Sequence, residues 1–169
     1  EHPEARLLIA TASDPAPALA EARRLGVAGS LELRPLAGER ARALVHAASD
    51  LAWVPRRTEG GLPINMLDAF ARGLPVVAME RASAGLPVDS SCIVVPNDDP
   101  SALANATARL LDDPARAEAL RLAGLTYLAE NHSGRHFTSA LRSLVAEPPT
   151  TPRATPAEQP GSSDPALRA

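Results

Sequence analysis

The sequence predicts an α/β domain: a Rossmann-like, mostly parallel sheet with helices on both faces. Two observations predict it. Short apolar runs alternate with longer segments of helical period from about Arg6 to Val145. The boundaries between them carry start and stop residues, Asp-Pro where helices open and Gly or Pro where they close.

Arg6–Thr11, RLLIAT, is a short apolar run and reads as a buried strand. Asp14-Pro15 then opens a helix to about Leu25, and Gly26 stops it. Ser30–Arg34 alternates apolar and polar and reads as a second strand. Glu39–Ala48 places Ala43, Leu44 and Ala47 on one helical face. Leu51–Val54 is a third strand, ended by Pro55. Leu62–Arg72 is a helix that Gly73 closes, and Pro75–Met79 and Cys92–Val95 are two further strands. Helices alone follow, at about Pro100–Leu111, Pro114–Ala129 and Ser133–Val145. Strands alternating with helices form right-handed βαβ crossovers, and ligands of such sheets sit beyond the carboxyl ends of the strands. From Glu147 to Ala169 the chain is rich in Pro, Ser, Thr and Ala. It has too little apolar surface to order itself, so a disordered tail is expected there.

Composition narrows the function. The 169 residues suffice for one domain with a core, and with only 2% aromatic residues that core must be built from Leu, Val and Ala. A net charge of −3 argues against a nucleic-acid partner. All 17 basic residues are arginine, which excludes lysine chemistry within the chain. The single cysteine, Cys92, permits neither an internal disulfide nor a cysteine zinc cluster, and its place at the head of an apolar run marks it as a core thiol. There is no apolar run of membrane-spanning length and no basic-then-apolar leader, so a cytoplasmic location is expected. The chain begins abruptly before a strand-like run, which suggests a piece of a longer protein.

Several polar groups read as structural. Asp14-Pro15, Asp99-Pro100 and Asp113-Pro114 are helix starts, where Asp caps free N–H groups and Pro has none to satisfy. The Asp98-Asp99 pair is therefore read as capping and not as a metal site. His132 and His136 stand four apart with no acidic partner in the local sequence, so no metal is expected. Asn105-Ala106-Thr107 and Asn131-His132-Ser133 match a glycosylation pattern that means nothing without a secretory context.

The segment RRTEGGLPINMLDAFARGLPVVA, Arg56–Ala78, carries the chemistry. Arg56 and Arg57 stand at the carboxyl end of a strand. Gly60 and Gly61 let the backbone turn, and Pro63 suits a first helical turn whose free N–H groups bind anions. Asp68, about one and a half turns on, can reach a hydroxyl of a ligand whose phosphates sit at the helix start. These residues alone leave two readings level: a nucleotide or nucleotide-sugar site, or a tight turn followed by a solvated acid.

The order and spacing of three blocks resemble the C-terminal, donor-binding domain of GT-B glycosyltransferases, in the family 4 group of retaining enzymes. Ala48–Pro55, ASDLAWVP, is similar to the family's Ala-Asp-strand-Pro segment. Asp68–Val77, DAFARGLPVV, resembles its Glu-Ala-Met-Ala-x-Gly-x-Pro-Val-Val block. Ile93–Leu103, IVVPNDDPSAL, resembles its Leu-Val-Pro-x-x-Asp-Pro-x-Ala-Leu.

The resemblance implies a nucleotide-sugar-binding Rossmann-like domain over residues 1–146 and a tail over 147–169. It implies sugar transfer from a nucleotide-diphosphate sugar with retention and without a bound metal. The family places two glutamates with seven residues between them around this helix, the first near the donor sugar and the second on the ribose. Anchored on Gly73, Asp68 takes the second position, one methylene shorter. The first position falls on Gly60, with Glu59 one residue earlier as the catalytic candidate. The backbone of Gly60, Gly61 and Leu62, with Arg56 or Arg57, would meet the diphosphate. The family's domain opens with a strand and a Gly-rich loop, and this chain begins at what reads as the second strand. In a sheet ordered three-two-one-four-five-six, the strand not present is the central one. The acceptor would be bound by an N-terminal domain outside this sequence, with peripheral membrane association of the full-length protein as a further implied partner. A non-catalytic nucleotide-sugar-binding or interaction module and a sugar-nucleotide epimerase of the same fold are the alternatives.

Overall fold

The structure is a computed structural model that describes residues 2–146 except 57, 59 and 84–89. The tail expected over 147–169 lies outside the described residues. Among the described residues, those up to 133 belong to one compact unit and those from 134 to a second.

In the first unit the strands are β1 (Leu7–Thr11), β2 (Leu31–Pro35), β3 (Ala52–Val54), β4 (Val76–Met79) and β5 (Ile93–Val95). The helices are α1 (Ala16–Arg24), α2 (Gly38–Ala47), α3 (Ile64–Ala71), α4 (Pro100–Leu111) and α5 (Pro114–Asn131). Each expected element is present within two residues of its predicted ends. Two short 3₁₀ turns, Ala28–Ser30 and Glu80–Ala82, carry no periodic signal and were not expected.

Among the described residues all strand pairs are parallel, but they form two sheets instead of one. β1 pairs with β2, and β3, β4 and β5 pair in that order. No ladder joins β1 to β3. The break falls where the order three-two-one-four-five-six places its central strand.

The three-stranded sheet is covered on both faces. Val76 and Ala78 of β4 point to one side and pack with Met66, Ala69 and Phe70 of α3 and Tyr127 of α5. Val77 and Met79 point to the other and pack with Leu103, Ala106 and Leu110 of α4 and with Leu120. The two-residue period of the strand divides these cores, and β4 is buried along its whole length. Cys92 lies fully buried in the first core, the position expected of a structural thiol.

The helix ends follow the stop and start residues. Asp99 Oδ1 accepts from Ala102 N at 2.8 Å and Asp113 Oδ1 from Arg116 N at 2.9 Å, so both acids are N-caps. Asp14 departs slightly: α1 starts one residue later, with Pro15 at the cap position, and the Asp14 carboxylate takes the Ala16 N–H at 2.9 Å. At the end of α3, Gly73 has φ +68° and donates to Phe70 O, while Leu74 donates to Ala69 O at 2.9 Å. This pair of bonds turns the chain directly into β4, and the left-handed φ explains the glycine.

α4 and α5 pack together on the sheet. α6 (Gly134–Ala146) belongs to the second unit, where Thr138 Oγ1 donates to Gly134 O at 2.8 Å. Among the described residues no helix is long and apolar enough to cross a membrane.

Candidate functional site

β3 delivers Val54, Pro55 and Arg56 to the carboxyl edge of the sheet. Across from them run Gly61, Leu62 and Pro63, followed by Ile64 and Asn65 in the first turn of α3. Together they line an open cavity of about 590 Å³. Pro63 is the N-cap residue, with φ −68° and ψ 129°, and among the described residues no side chain caps the helix. The carbonyl of Pro63 is taken by Met66 N and Leu67 N at 3.0 and 3.3 Å. The N–H groups of Ile64 and Asn65 precede the first intrahelical bond, and both residues line the cavity at the positive end of the helix dipole.

The paired glycines have different reasons. Gly61 stands at a bend of the chain, where the sequence places a turn. A Cβ on Gly60 would lie 2.5 Å from Arg56 Nη2 and 3.1 Å from its Cζ, so Gly60 makes room for the arginine. A Cβ on Gly61 would meet no described atom within 4 Å, so Gly61 faces open space. Arg56 folds back over this loop, and its Nη1 donates to Gly61 O. Arg56, Gly61 and Leu62 are thus brought together at the cavity, with Gly60 beneath the guanidinium. Arg57 and Glu59 lie outside the described residues.

Asp68 stands apart from the cavity lining, one turn along α3 from Ile64 and Asn65. Its carboxylate sits between α3 and α2. Oδ1 accepts from Arg72 Nε at 3.3 Å, and Oδ2 lies 3.7 Å from Arg42 Nε and 3.9 Å from His46 Nε2. Arg72 also donates through Nη2 to Glu39, which, with Asp68, raises its guanidinium above its ordinary pKa. Arg42 and His46 were not among the residues singled out in the sequence. Only their spacing on α2 hinted at a shared face, and nothing local tied that face to Asp68.

A second cavity, of about 610 Å³, follows the outer edge of β5 against α4 and includes Asn105, Arg109 and Asp112. None of the residues singled out as ligand-binding lines it. It also lacks a free helix start: Asp99 already caps α4.

Residues 1–113 match the family of glycosyl transferases group 1. The chain belongs to that family. It is 35% identical over 109 residues to a GDP-mannose-dependent α-(1-6)-phosphatidylinositol monomannoside mannosyltransferase of Mycolicibacterium smegmatis, covering 60% of this chain and 28% of the relative. It is 34% identical over 110 residues to a GDP-mannose-dependent monoacylated α-(1-6)-phosphatidylinositol monomannoside mannosyltransferase of Corynebacterium glutamicum, covering 57% and 28%. The chain therefore spans little more than a quarter of either relative. The structure of Anabaena HepE in complex with UDP superposes with a TM-score of 0.74 over 85% of this chain and 41% of that one, at 14% identity. That likeness shows the shared GT-B glycosyltransferase fold.

Proposed function

We propose that this chain is the donor-binding part of a glycosyltransferase that moves a hexosyl group from a nucleotide-diphosphate sugar to an acceptor with retention. One observation carries the reading: the cavity at the carboxyl end of β3 joins an uncapped helix start to an arginine and a glycine that leaves the approach open. Such a site suits a diphosphate, whose charge grows as the sugar departs. Fixed N–H dipoles and a guanidinium stabilise that charge without reorganising. Arg56 turns from the Gly61 carbonyl to a phosphate oxygen, Asp68 accepts from the ribose, and Glu59, one residue before the family's first acidic position, is the candidate to act at the sugar. The acceptor is held by a part of the protein outside this sequence.

The two relatives are named for GDP-mannose, which favours that donor over the UDP bound by HepE. Calorimetric titration of the full-length protein with GDP, UDP and ADP tests the reading, with GDP expected to bind most tightly. Gly61→Val should weaken binding of all three at unchanged melting temperature, because the new side chain enters open space. If no nucleoside diphosphate binds, or Gly61→Val binds as well as wild type, the site is wrong. Retention is tested by the anomeric configuration of the product in NMR, and an inverted product overturns it.

A further inference from the structure

The pair formed by His46 and Asp68 is not accounted for by the diphosphate cavity. His46 Nδ1 lies 2.8 Å from the carbonyl oxygen of Arg42. A carbonyl only accepts, so Nδ1 carries a proton, and in the neutral form of the ring Nε2 is a lone-pair acceptor. That lone pair is 3.9 Å from Asp68 Oδ2, which is also an acceptor. Two acceptors cannot bond to each other, and the distance is beyond a hydrogen bond in any case. Arg42 and Arg72 hold the carboxylate from the sides, at 3.7 and 3.3 Å, and Arg72 is itself tied to Glu39. Both members remain reachable, with His46 15% and Asp68 19% exposed. Ile64, one turn before Asp68 on α3, is 78% exposed and offers apolar surface beside them.

A fixed pair of acceptors at this spacing is completed by a ligand with two adjacent O–H donors. We infer that His46 is a binding residue of the donor site: its Nε2 accepts one hydroxyl of the ribose cis-diol while Asp68 accepts the other. This rests on the nucleotide reading above and adds to it a residue from α2, so the diol is gripped across two helices. A 2′,3′-dideoxy nucleotide offers neither donor, which leaves His46 Nε2 without a partner and Asp68 with its arginines alone. The diol is therefore a specificity determinant.

The test compares GDP with 2′,3′-dideoxy-GDP by calorimetry on the full-length protein, in wild type, His46→Leu, His46→Gln and Asp68→Asn. Wild type should prefer GDP. His46→Leu should lose about five-fold in affinity for GDP, the effect of one neutral hydrogen bond, with no loss for the dideoxy nucleotide. His46→Gln keeps an acceptor and should recover part of the loss. Equal losses for both nucleotides in His46→Leu, or none for either, would overturn the role of His46, since a merely structural histidine does not distinguish them. The Asp68→Asn arm separates this failure from that of the underlying reading. If Asp68→Asn abolishes the preference and His46→Leu does not, only the histidine assignment falls. If wild type shows no preference, or binds neither nucleotide, both fall together.

Discussion

Gly124→Ala places a methyl group where the structure has no space for it. Gly124 is buried in α5, facing α3. A Cβ there would lie 2.6 Å from Phe70 Cδ1 and 3.1 Å from Cγ, well inside van der Waals contact. The Phe70 ring is fully buried and meets Tyr127 edge-on, with centroids 6.0 Å apart and planes at 67°. It is enclosed by the core between α3, α5 and the sheet, so it cannot swing aside without opening space elsewhere. Alanine gains about 1 kcal/mol of helix propensity over glycine, while overpacking a well-filled core costs about 1–3 kcal/mol. A contact this close to an enclosed ring belongs at the upper end, so the net loss should be about 1–2 kcal/mol. For a chain of this size that lowers the melting temperature by roughly 3–8 °C. Thermal and urea unfolding followed by circular dichroism measure it. In a Phe70→Leu background the same substitution should cost less, because the atoms it strikes are smaller. An unchanged or raised melting temperature for Gly124→Ala, or strict additivity with Phe70→Leu, would refute the packing argument.

Arg56→Ala should weaken nucleotide binding, whereas Gly60→Ala, which only displaces the guanidinium from its resting place above the loop, should retain most of the wild-type affinity; equal losses in calorimetry would show that the resting place is itself needed for binding. Asp99→Ala and Asp113→Ala should each lower unfolding stability by about 1 kcal/mol by freeing the capped N–H groups, and denaturant melts showing no change would remove the capping assignment. Burial raises the Tyr127 phenol above its ordinary pKa. The folded state keeps a proton that the unfolded chain releases above about pH 10, so this contribution is complete below that pH and is lost as pH rises through the raised folded value. Tyr127→Phe should flatten the alkaline arm of the stability profile, and an arm of unchanged slope would count against a desolvated phenol.

Local pattern determined much of this protein by itself. The strands and helices are legible because apolar periods of two and of 3.6 are properties of neighbouring residues, and β4 shows it: Val76 and Ala78 serve one core, Val77 and Met79 the other. The caps at Asp99 and Asp113 and the stop at Gly73 were legible for the same reason, since each bond spans a few residues. The uncapped start of α3 beyond β3 followed from Pro63 and the parallel order. Tertiary structure alone decided the rest. Which side of Arg56 would meet Gly60, and that Gly60 serves close approach, depends on how a long side chain folds over a loop. That the strands separate into two sheets depends on which edges meet, and no single strand encodes its neighbour. The surroundings of Asp68 depend on two helices coming together, with Arg72 bonded to Glu39 33 positions away in sequence. Such contacts follow from the packing of whole elements, and the residues that make them carry no mark of it in their own surroundings along the chain.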